Sequence, residues 1–212
     1  ILNHIQHFQV CLTSVSKMEI IKCFGYELYK SQCDKLVYNN SELLSAVDKL
    51  LSTEHAKLNN PVQRQGNALS TVSSDINVLH MPETHPLFEW IVSQVMTIKE
   101  YETKNRYSLN VTRHWANRIF KDCSGLCHTH PPRVDGVAIF YLKVPDNGSK
   151  LVIIDNGTDG SKYLDYTKEK CHYISVKSGT LVIHKPNVPH AVSIHNSEDP
   201  RTCLIFEFTI EE

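Results

Sequence analysis

The stretch GLCHTHPPRVDGVAIFYLKV, residues 125–144, places two histidines one residue apart, directly before a continuous apolar run. Side chains i and i+2 of an extended strand project from the same face, so His128 and His130 would point towards one centre. Pro131 follows His130, and the residue before a proline favours extended backbone. The apolar run is typical of a buried strand. The stretch therefore predicts two converging imidazoles at the mouth of a buried strand.

A third histidine, His190, lies 60 residues after His130 in SGTLVIHKPNVPHAVSIH, where a proline-rich bend leads into the next predicted strand. Two close ligands and one distant ligand predict a three-sided metal site with open positions, of the kind used in redox iron chemistry. The chain has 12 histidines, so a His-x-His pair also arises by chance. His190 after a proline is equally compatible with a loop. Both interpretations stay open on these residues alone.

Arg201 begins the alternating run RTCLIFEF, eleven residues after His190. An arginine at this position would point into a barrel interior, where an unpaired guanidinium is strongly unfavourable. It would therefore need a buried anion, and a carboxylate that accepts two parallel hydrogen bonds fits best. The alternative is a surface arginine that pairs with Glu198 or Asp199 in the preceding SEDP segment.

The two halves of the chain differ in pattern. Residues 106–212 contain short apolar or alternating runs separated by turn segments, which predicts an antiparallel sandwich or barrel. Residues 19–105 are predicted to be an α-rich segment that packs on this core, with helices in residues 39–58 and 84–105 and with Ser41 and Thr84 as N-caps. Residues 1–18 form an uncertain N-terminal extension, and we expect a single compact domain overall.

Composition narrows the classes of partner. The chain has 22 basic and 23 acidic residues, so its near-neutral charge argues against nucleic acid or a membrane surface. It contains no apolar run of roughly 18 residues, which argues against a membrane span. Its seven cysteines show no spacing of a disulfide framework, which favours reduced thiols and a cytoplasmic location.

The order of these motifs resembles that of the Fe(II)- and 2-oxoglutarate-dependent dioxygenases. More narrowly, it is similar to an uncharacterised oxygenase family of marine phages and bacteria with an H-x-H…H…R pattern. The resemblance covers residues 105–208. The residues that match the motif in order are Trp115, Asn117, Gly125, His128, His130, Pro131, Gly136, Tyr141, Gly179, Leu181, Pro186, His190, Val192, Arg201, Leu204 and Phe206.

The resemblance implies a mainly β fold with flanking helices, built on a double-stranded β-helix (a cupin-like jelly roll). It implies that His128, His130 and His190 bind Fe(II) and leave positions for 2-oxoglutarate and O₂. Arg201 would bind the distal carboxylate of 2-oxoglutarate. The Tyr141 hydroxyl would be its second partner, unless Tyr141 is a core residue that faces away.

Two further residues would line the substrate pocket, namely Trp115 and Asn117, although packing is an equal explanation for Trp115. The chain also departs from the wider superfamily, in which an aspartate stands at the position of His130. Three histidines form a neutral ligand set, at which zinc or nickel competes more effectively with iron. Asp135 is the nearest carboxylate downstream. It would supply an anionic ligand only if the strand began later than expected, because its spacing does not fit a two-residue repeat. Cys203 replaces a serine of the motif.

The function implied by the resemblance is hydroxylation of a C–H bond with release of succinate and CO₂. A small molecule, an amino acid and a peptide are all open as substrates, and a homodimer is open as the oligomeric state. Two alternatives differ in class. One is a three-histidine cupin-type metalloenzyme, a thiol dioxygenase or isomerase, that does not use 2-oxoglutarate. The other is a non-catalytic binding module on the same barrel.

Overall fold

The computed structural model describes residues 17–34, 40–53, 64–65, 68–72, 78–98, 108–155 and 170–211. These residues form twelve strands and two α-helices, with two short 3₁₀ helices at Val78–His80 and Pro82–Thr84. The helices are α1 (Asn40–Leu51) and α2 (His85–Met96). The strands are β1 (Glu19–Cys23), β2 (Tyr26–Gln32), β3 (Arg64–Gln65), β4 (Ala68–Ser70), β5 (Ser108–Ile119), β6 (Ser124–His128), β7 (Gly136–Lys143), β8 (Leu151–Ile154), β9 (Cys171–Ile174), β10 (Thr180–His184), β11 (His190–Val192) and β12 (Arg201–Glu211).

The strands form two antiparallel sheets. The larger sheet has seven strands in the order β1-β2-β10-β7-β12-β5-β4, and the smaller has five in the order β3-β6-β11-β8-β9. Chain neighbours such as β10 and β11 lie in different sheets, so the chain crosses repeatedly between the two. This architecture confirms the prediction of a mainly β protein with antiparallel sheets.

Alternation along the strands divides the apolar side chains between two main layers. On β7, Ile139 belongs to a cluster that joins both sheets, whereas Phe140 belongs to a cluster formed with α1 and α2. The larger sheet is therefore covered by helices on one face and by the smaller sheet on the other. This double covering explains why β7 has a continuous apolar sequence.

The α-rich description of residues 19–105 is not supported. The structure has two helices there, but it also has four strands, and three of these join strands of the core: β2 pairs with β10, β3 with β6 and β4 with β5. The β1–β2 hairpin turns through Phe24 and Gly25, which both have positive φ, at 51° and 78°. Two such residues in a row are typical of a tight hairpin turn. The hydrogen bonds that make β2 a strand come from distant residues, which local periodicity does not reveal.

The predicted helices are present, but only one of the two predicted N-cap residues stands at that position. Helix α1 begins at Asn40, so Ser41 lies inside the first turn and not at the N-cap. Thr84 does stand at the N-cap of α2, yet its hydroxyl makes no capping bond. It donates instead to the carbonyl oxygens of Val78 and Met81, at 3.1 and 2.7 Å. Residues 1–16 of the predicted extension lie outside the described residues.

Two other sequence expectations can be compared with the structure. The cysteines among the described residues (Cys23, Cys33, Cys123, Cys127, Cys171 and Cys203) are all free thiols. Neither helix of the described segments combines the length and apolar character that crossing a bilayer requires.

The contact between α2 and the larger sheet can be tested with Trp90→Ala. The Trp90 ring is 6% exposed and meets Phe140 edge-on, with ring centroids 6.4 Å apart. Removing a buried indole leaves a cavity, so we expect a loss of about 3–5 kcal/mol in the free energy of unfolding, measured by urea denaturation. Ile20→Ala is the control, because Ile20 is 55% exposed and its loss should change stability by less than about 0.5 kcal/mol. Equal effects of the two substitutions would contradict this packing.

Candidate metal centre

The three predicted histidines lie together between the sheets. His128 is the last residue of β6 and stands directly opposite His190, the first residue of β11. His130 lies two residues beyond β6, where its backbone N–H donates to the carbonyl of Pro186 at 2.9 Å. One ligand nitrogen from each histidine falls within 4.8 Å of the other two. The ring centroids are 4.4–5.3 Å apart.

Hydrogen bonds at Nδ1 hold all three rings. The Nδ1 atom of His128 lies 3.0 Å from the carbonyl oxygen of Leu126, and that of His190 lies 2.9 Å from the carbonyl oxygen of Val188. A ring nitrogen that faces a carbonyl carries the proton, so in the neutral imidazole Nε2 keeps its lone pair. This tautomer is the one that binds metals through Nε2.

The third ring, His130, has a carboxylate as its partner. Its Nδ1 lies 2.7 Å from Oε1 of Glu207, and the two side chains are only 5% and 1% exposed. Nε2 of His130 is buried and has no hydrogen-bond partner in the structure. Glu207 was not among the predicted site residues. Its position in RTCLIFEF, six residues after Arg201, is a signal in the sequence, because i and i+6 share one face of a strand.

A fourth histidine, His184, also lies beside the three. It ends β10, and its ring centroid is 4.7 Å from that of His190 and 5.9 Å from that of His130. Its Nδ1 lies 2.7 Å from the carbonyl oxygen of Lys185, and its buried Nε2 has no partner. His184 was also missed. Its even spacing from Val182, an apolar residue of the same strand, would have placed it on the inward face.

Burial keeps two of these imidazoles neutral. The pKa of His184 is lowered to about 3, mainly by desolvation and also by His130 and His128, against the opposing effect of the Lys185 carbonyl. Desolvation also lowers the pKa of His190 well below its ordinary value, with His184 as the next cause. Neutral imidazoles have free lone pairs, so proton competition for the metal-binding nitrogens is weak.

Arg201 points into the same interior and is only 2% exposed. Its guanidinium carbon lies 4.7 Å from the centroid of the Tyr141 ring, and Nη1 donates to Oγ of Ser149 at 3.1 Å. Its Nε is buried without a partner. Burial raises the pKa of Tyr141 to about 12, against the opposing charge of Arg201. Tyr141 therefore faces the interior as a neutral phenol, and not away from it.

The surface alternative for Arg201 does not hold. Asp199 lies 3.8 Å from Nζ of Lys143, and Glu198 pairs with Lys121. Within the described segments, no carboxylate forms an ion pair with Arg201. The alternation of β12 turns Arg201 inward, so the acidic residues just before it are left at the surface.

The seven predicted site residues line a single cavity of about 60 Å³. Trp115 contributes its ring, whose centroid lies 6.1 Å from that of His130. Asn117 accepts a hydrogen bond from Ser70 at 2.6 Å through Oδ1. The full set of predicted lining residues is His128, His130, His190, Arg201, Tyr141, Trp115 and Asn117.

Asp135 is not part of the cluster. Its side chain is exposed, and Oδ2 accepts a hydrogen bond from the backbone N–H of Ile210 at 2.7 Å. Asp135 precedes β7 and ties the start of that strand to the end of β12, since its own N–H donates to the carbonyl of Phe208. The structure therefore places the Asp135 carboxylate outside the three-histidine cluster.

The donor set fits a divalent transition metal. Imidazole nitrogens suit iron, nickel and zinc, and metal–nitrogen bonds of about 2.1 Å require only small side-chain shifts from the observed spacing. The orphaned Nε2 of His130 is the kind of buried polar atom that a bound ion would satisfy.

The sequence matches no protein-family model and no curated protein. The structure, however, resembles solved oxygenases. An oxidoreductase of the 2OG-Fe(II) oxygenase family from Burkholderia pseudomallei has a TM-score of 0.53 and 14% identity, over 85% of this chain and 84% of that one. The chain has the fold of these oxygenases.

Two further structures extend the comparison. The non-heme alpha-ketoglutarate-dependent epimerase SnoN from nogalamycin biosynthesis has a TM-score of 0.59 and 12% identity, over 86% of this chain and 77% of that one. A prolyl-4-hydroxylase from Pseudomonas putida has a TM-score of 0.53 and 12% identity, over 87% and 92%. At identities this low, the structural similarity establishes the jelly-roll fold alone. The reactions named for these proteins also differ from one another.

The burial of His184 predicts a pH dependence of stability for the metal-free protein. Its pKa is near 6.5 in the unfolded chain and about 3 in the folded one. Between these values the unfolded state holds the extra proton, so stability falls as the pH is lowered. His184→Phe should make the fall in unfolding free energy shallower, by up to about 1.4 kcal/mol per pH unit, in urea titrations between about pH 6.5 and 4.

The matched control is His172→Phe on β9, because His172 is exposed. The unfolding free energy of the His172→Phe variant should change with pH as it does in the unmodified protein. Parallel curves for His184→Phe and the unmodified protein would contradict the burial of a neutral imidazole at position 184.

Proposed function

We propose that the protein is an Fe(II)- and 2-oxoglutarate-dependent dioxygenase that hydroxylates a C–H bond and releases succinate and CO₂. One observation carries this proposal: three converging imidazoles line the same cavity as a buried guanidinium that has no carboxylate partner among the described residues. The first feature suits a redox metal, and the second suits an anionic ligand. The compound 2-oxoglutarate would suit both features, because it is a dicarboxylic acid that also chelates a metal.

The guanidinium supports a carboxylate ligand. Guanidinium groups stay charged in proteins, and a buried charge without a counter-ion is strongly unfavourable. Ser149 and the Tyr141 ring contact it, but neither carries a negative charge. A carboxylate bound here would accept two hydrogen bonds from the guanidinium and one from the Tyr141 hydroxyl, which is buried without a partner.

The histidines would bind the metal through Nε2. Each Nδ1 hydrogen bond prevents its ring from rotating, so the three nitrogens keep a common centre before the ion arrives. When bound, Fe(II) supplies the O₂ chemistry that side chains lack. The three protein ligands leave positions for the cosubstrate and O₂, and the part of the protein is to hold these reactants in place.

The walls of the cavity exclude water and select the substrate. Trp115, Ile139 and Ile205 give it apolar sides, and Asn117 adds an amide at the β5 wall. We propose Trp115 and Asn117 as the residues that contact the substrate.

The substrate class is proposed as a small molecule, an amino acid or a peptide. The solved structures with this fold include a prolyl-4-hydroxylase and an epimerase, so the fold serves more than one substrate class. We also propose, from the order of the motif residues, that the chain falls within the oxygenase group of marine phages and bacteria. We also propose that the chain forms a single domain, in which strands β1–β4 complete the β core of residues 106–212, and that it works in the cytoplasm.

The first test is anaerobic addition of 2-oxoglutarate to the Fe(II)-loaded protein. Chelation of the metal by the cosubstrate should give a weak visible charge-transfer band, and exposure to O₂ should yield succinate. A panel of amino acids, peptides and small metabolites then identifies the substrate by stimulated succinate release. A metal-loaded protein without this band would contradict the proposed function and favour a binding module.

Arg201→Ala tests the role of the guanidinium. Loss of a charged, bidentate contact typically raises a dissociation constant by tenfold to a hundredfold or more, so 2-oxoglutarate should bind at least tenfold more weakly, measured by titration of the visible band. The matched control is Arg118→Ala, because Arg118 lies on the neighbouring strand β5 but pairs with Asp48 of α1 on the opposite face. Equal affinity of both variants for 2-oxoglutarate would contradict the assignment.

A second candidate is a three-histidine cupin-type metalloenzyme that does not use 2-oxoglutarate. The observation that favours it is the ligand set itself, which has no carboxylate. The two candidates respond differently to Arg201→Ala. The substitution should abolish 2-oxoglutarate turnover in the first and leave the reaction largely intact in the second.

A further inference from the structure

We propose that Glu207 is the anionic partner of the metal centre, a positioning residue that holds His130 and supplies the negative charge that a histidine at position 130 does not. This inference rests on the proposed metal centre. It does not depend on which cosubstrate or substrate the centre uses.

The contacts of Glu207 point to His130. Its carboxylate is 1% exposed, and its one short hydrogen bond, at 2.7 Å, joins Oε1 to Nδ1 of His130. The other oxygen, Oε2, has no hydrogen bond and lies 3.6 Å from Nη1 of Arg113. Arg113 is 41% exposed, so solvent screens its charge. This exposed arginine is therefore too weakly coupled to balance a carboxylate that is buried to this extent.

A metal ion on His130 would complete the balance. It would bind Nε2, the atom of His130 that is buried without a partner, on the far side of the ring from Glu207. Carboxylate–histidine–metal chains orient the ring and raise the basicity of the ligand nitrogen. His130 would thus be paired at both nitrogens, with Glu207 at Nδ1 and with the ion at Nε2.

The formal charge of the centre follows from the same chain. Three neutral imidazoles leave a divalent ion with its full charge, whereas a carboxylate ligand would reduce the net charge by one. Glu207 would lower the net charge of the centre by one, although it contacts the ligand His130 and not the ion itself. The strand β12 then carries both charged groups of the site on one inward face, with Arg201 at one end and Glu207 further along.

The experiment measures metal affinity, with Co(II) as a spectroscopic probe that needs no catalytic turnover. Glu207→Gln keeps the size of the side chain and a hydrogen-bond acceptor but removes the charge. We expect its dissociation constant for Co(II) to rise by about tenfold to a hundredfold. The control is Glu211→Gln, because Glu211 lies on the same strand but is exposed, and its affinity should equal that of the unmodified protein. Equal affinities for the two variants would overturn the inference.

A second comparison separates charge supply from simple packing. In His130→Asp the ligand itself is anionic, so the centre no longer depends on Glu207 for its negative charge. Adding Glu207→Gln to His130→Asp should therefore weaken Co(II) binding much less than the same substitution does in the unmodified protein. A purely structural role of Glu207 would weaken binding equally in both backgrounds, and that result would overturn the inference.

Thermal unfolding of the metal-free variants checks that each one folds. Should Glu207→Gln fail to fold, Arg113→Gln replaces it, because it removes the other cation and keeps the carboxylate. Co(II) affinity at least equal to that of the unmodified protein supports the inference, and weaker binding overturns it. The protein could bind Co(II) in a way that depends on Glu207 and yet show no 2-oxoglutarate turnover. That result would contradict the proposed function and support this inference.

Discussion

The pairing of β6 with β11 is the constraint on which the site depends. It sets His128 directly opposite His190, so two residues far apart in sequence become neighbours on adjacent strands. A β-carbon at Gly125 would lie 3.0 Å from Cγ2 of Val192, so any side chain there would force Val192 to shift. The register also shifts between His190 and Val192. Strand β11, which carries the third histidine, is thus held between two strands, β6 and β8.

Around this pairing the molecule buries an unusual set of polar groups. Arg201, Glu207, His184 and His190 are all nearly inaccessible, and Tyr141 lies among them. Each buried polar group requires compensation, and several of these have unsatisfied atoms that face the same interior. Apolar side chains would stabilise a jelly roll more simply. The arrangement makes sense if the missing partners are a cation near the histidines and an anion near Arg201.

Several features were predictable because they follow from local pattern. The strand parity of RTCLIFEF places Arg201 inward, and the His-x-His spacing places two imidazoles on one side. Turn segments marked most strand boundaries in residues 106–212. The helices near residues 40–51 and 85–96 followed from apolar spacing, although their caps did not, because Thr84 uses its hydroxyl to bond back to the preceding turn.

Other features depended on partners distant in sequence. The β1–β2 hairpin belongs to the larger sheet because β2 pairs with β10. Asp135 lies outside the site because its side chain accepts a hydrogen bond from the backbone of Ile210. Glu207 and His184 had inward parity, yet only the packed sheets show which inward residues surround the histidines. By itself the sequence determined the alternation of each strand, the types of ligand available and the family of folds they resemble. The tertiary structure decided which of those side chains meet, because hydrogen bonds between strands set the register, and register is a property of residue pairs that no single segment contains.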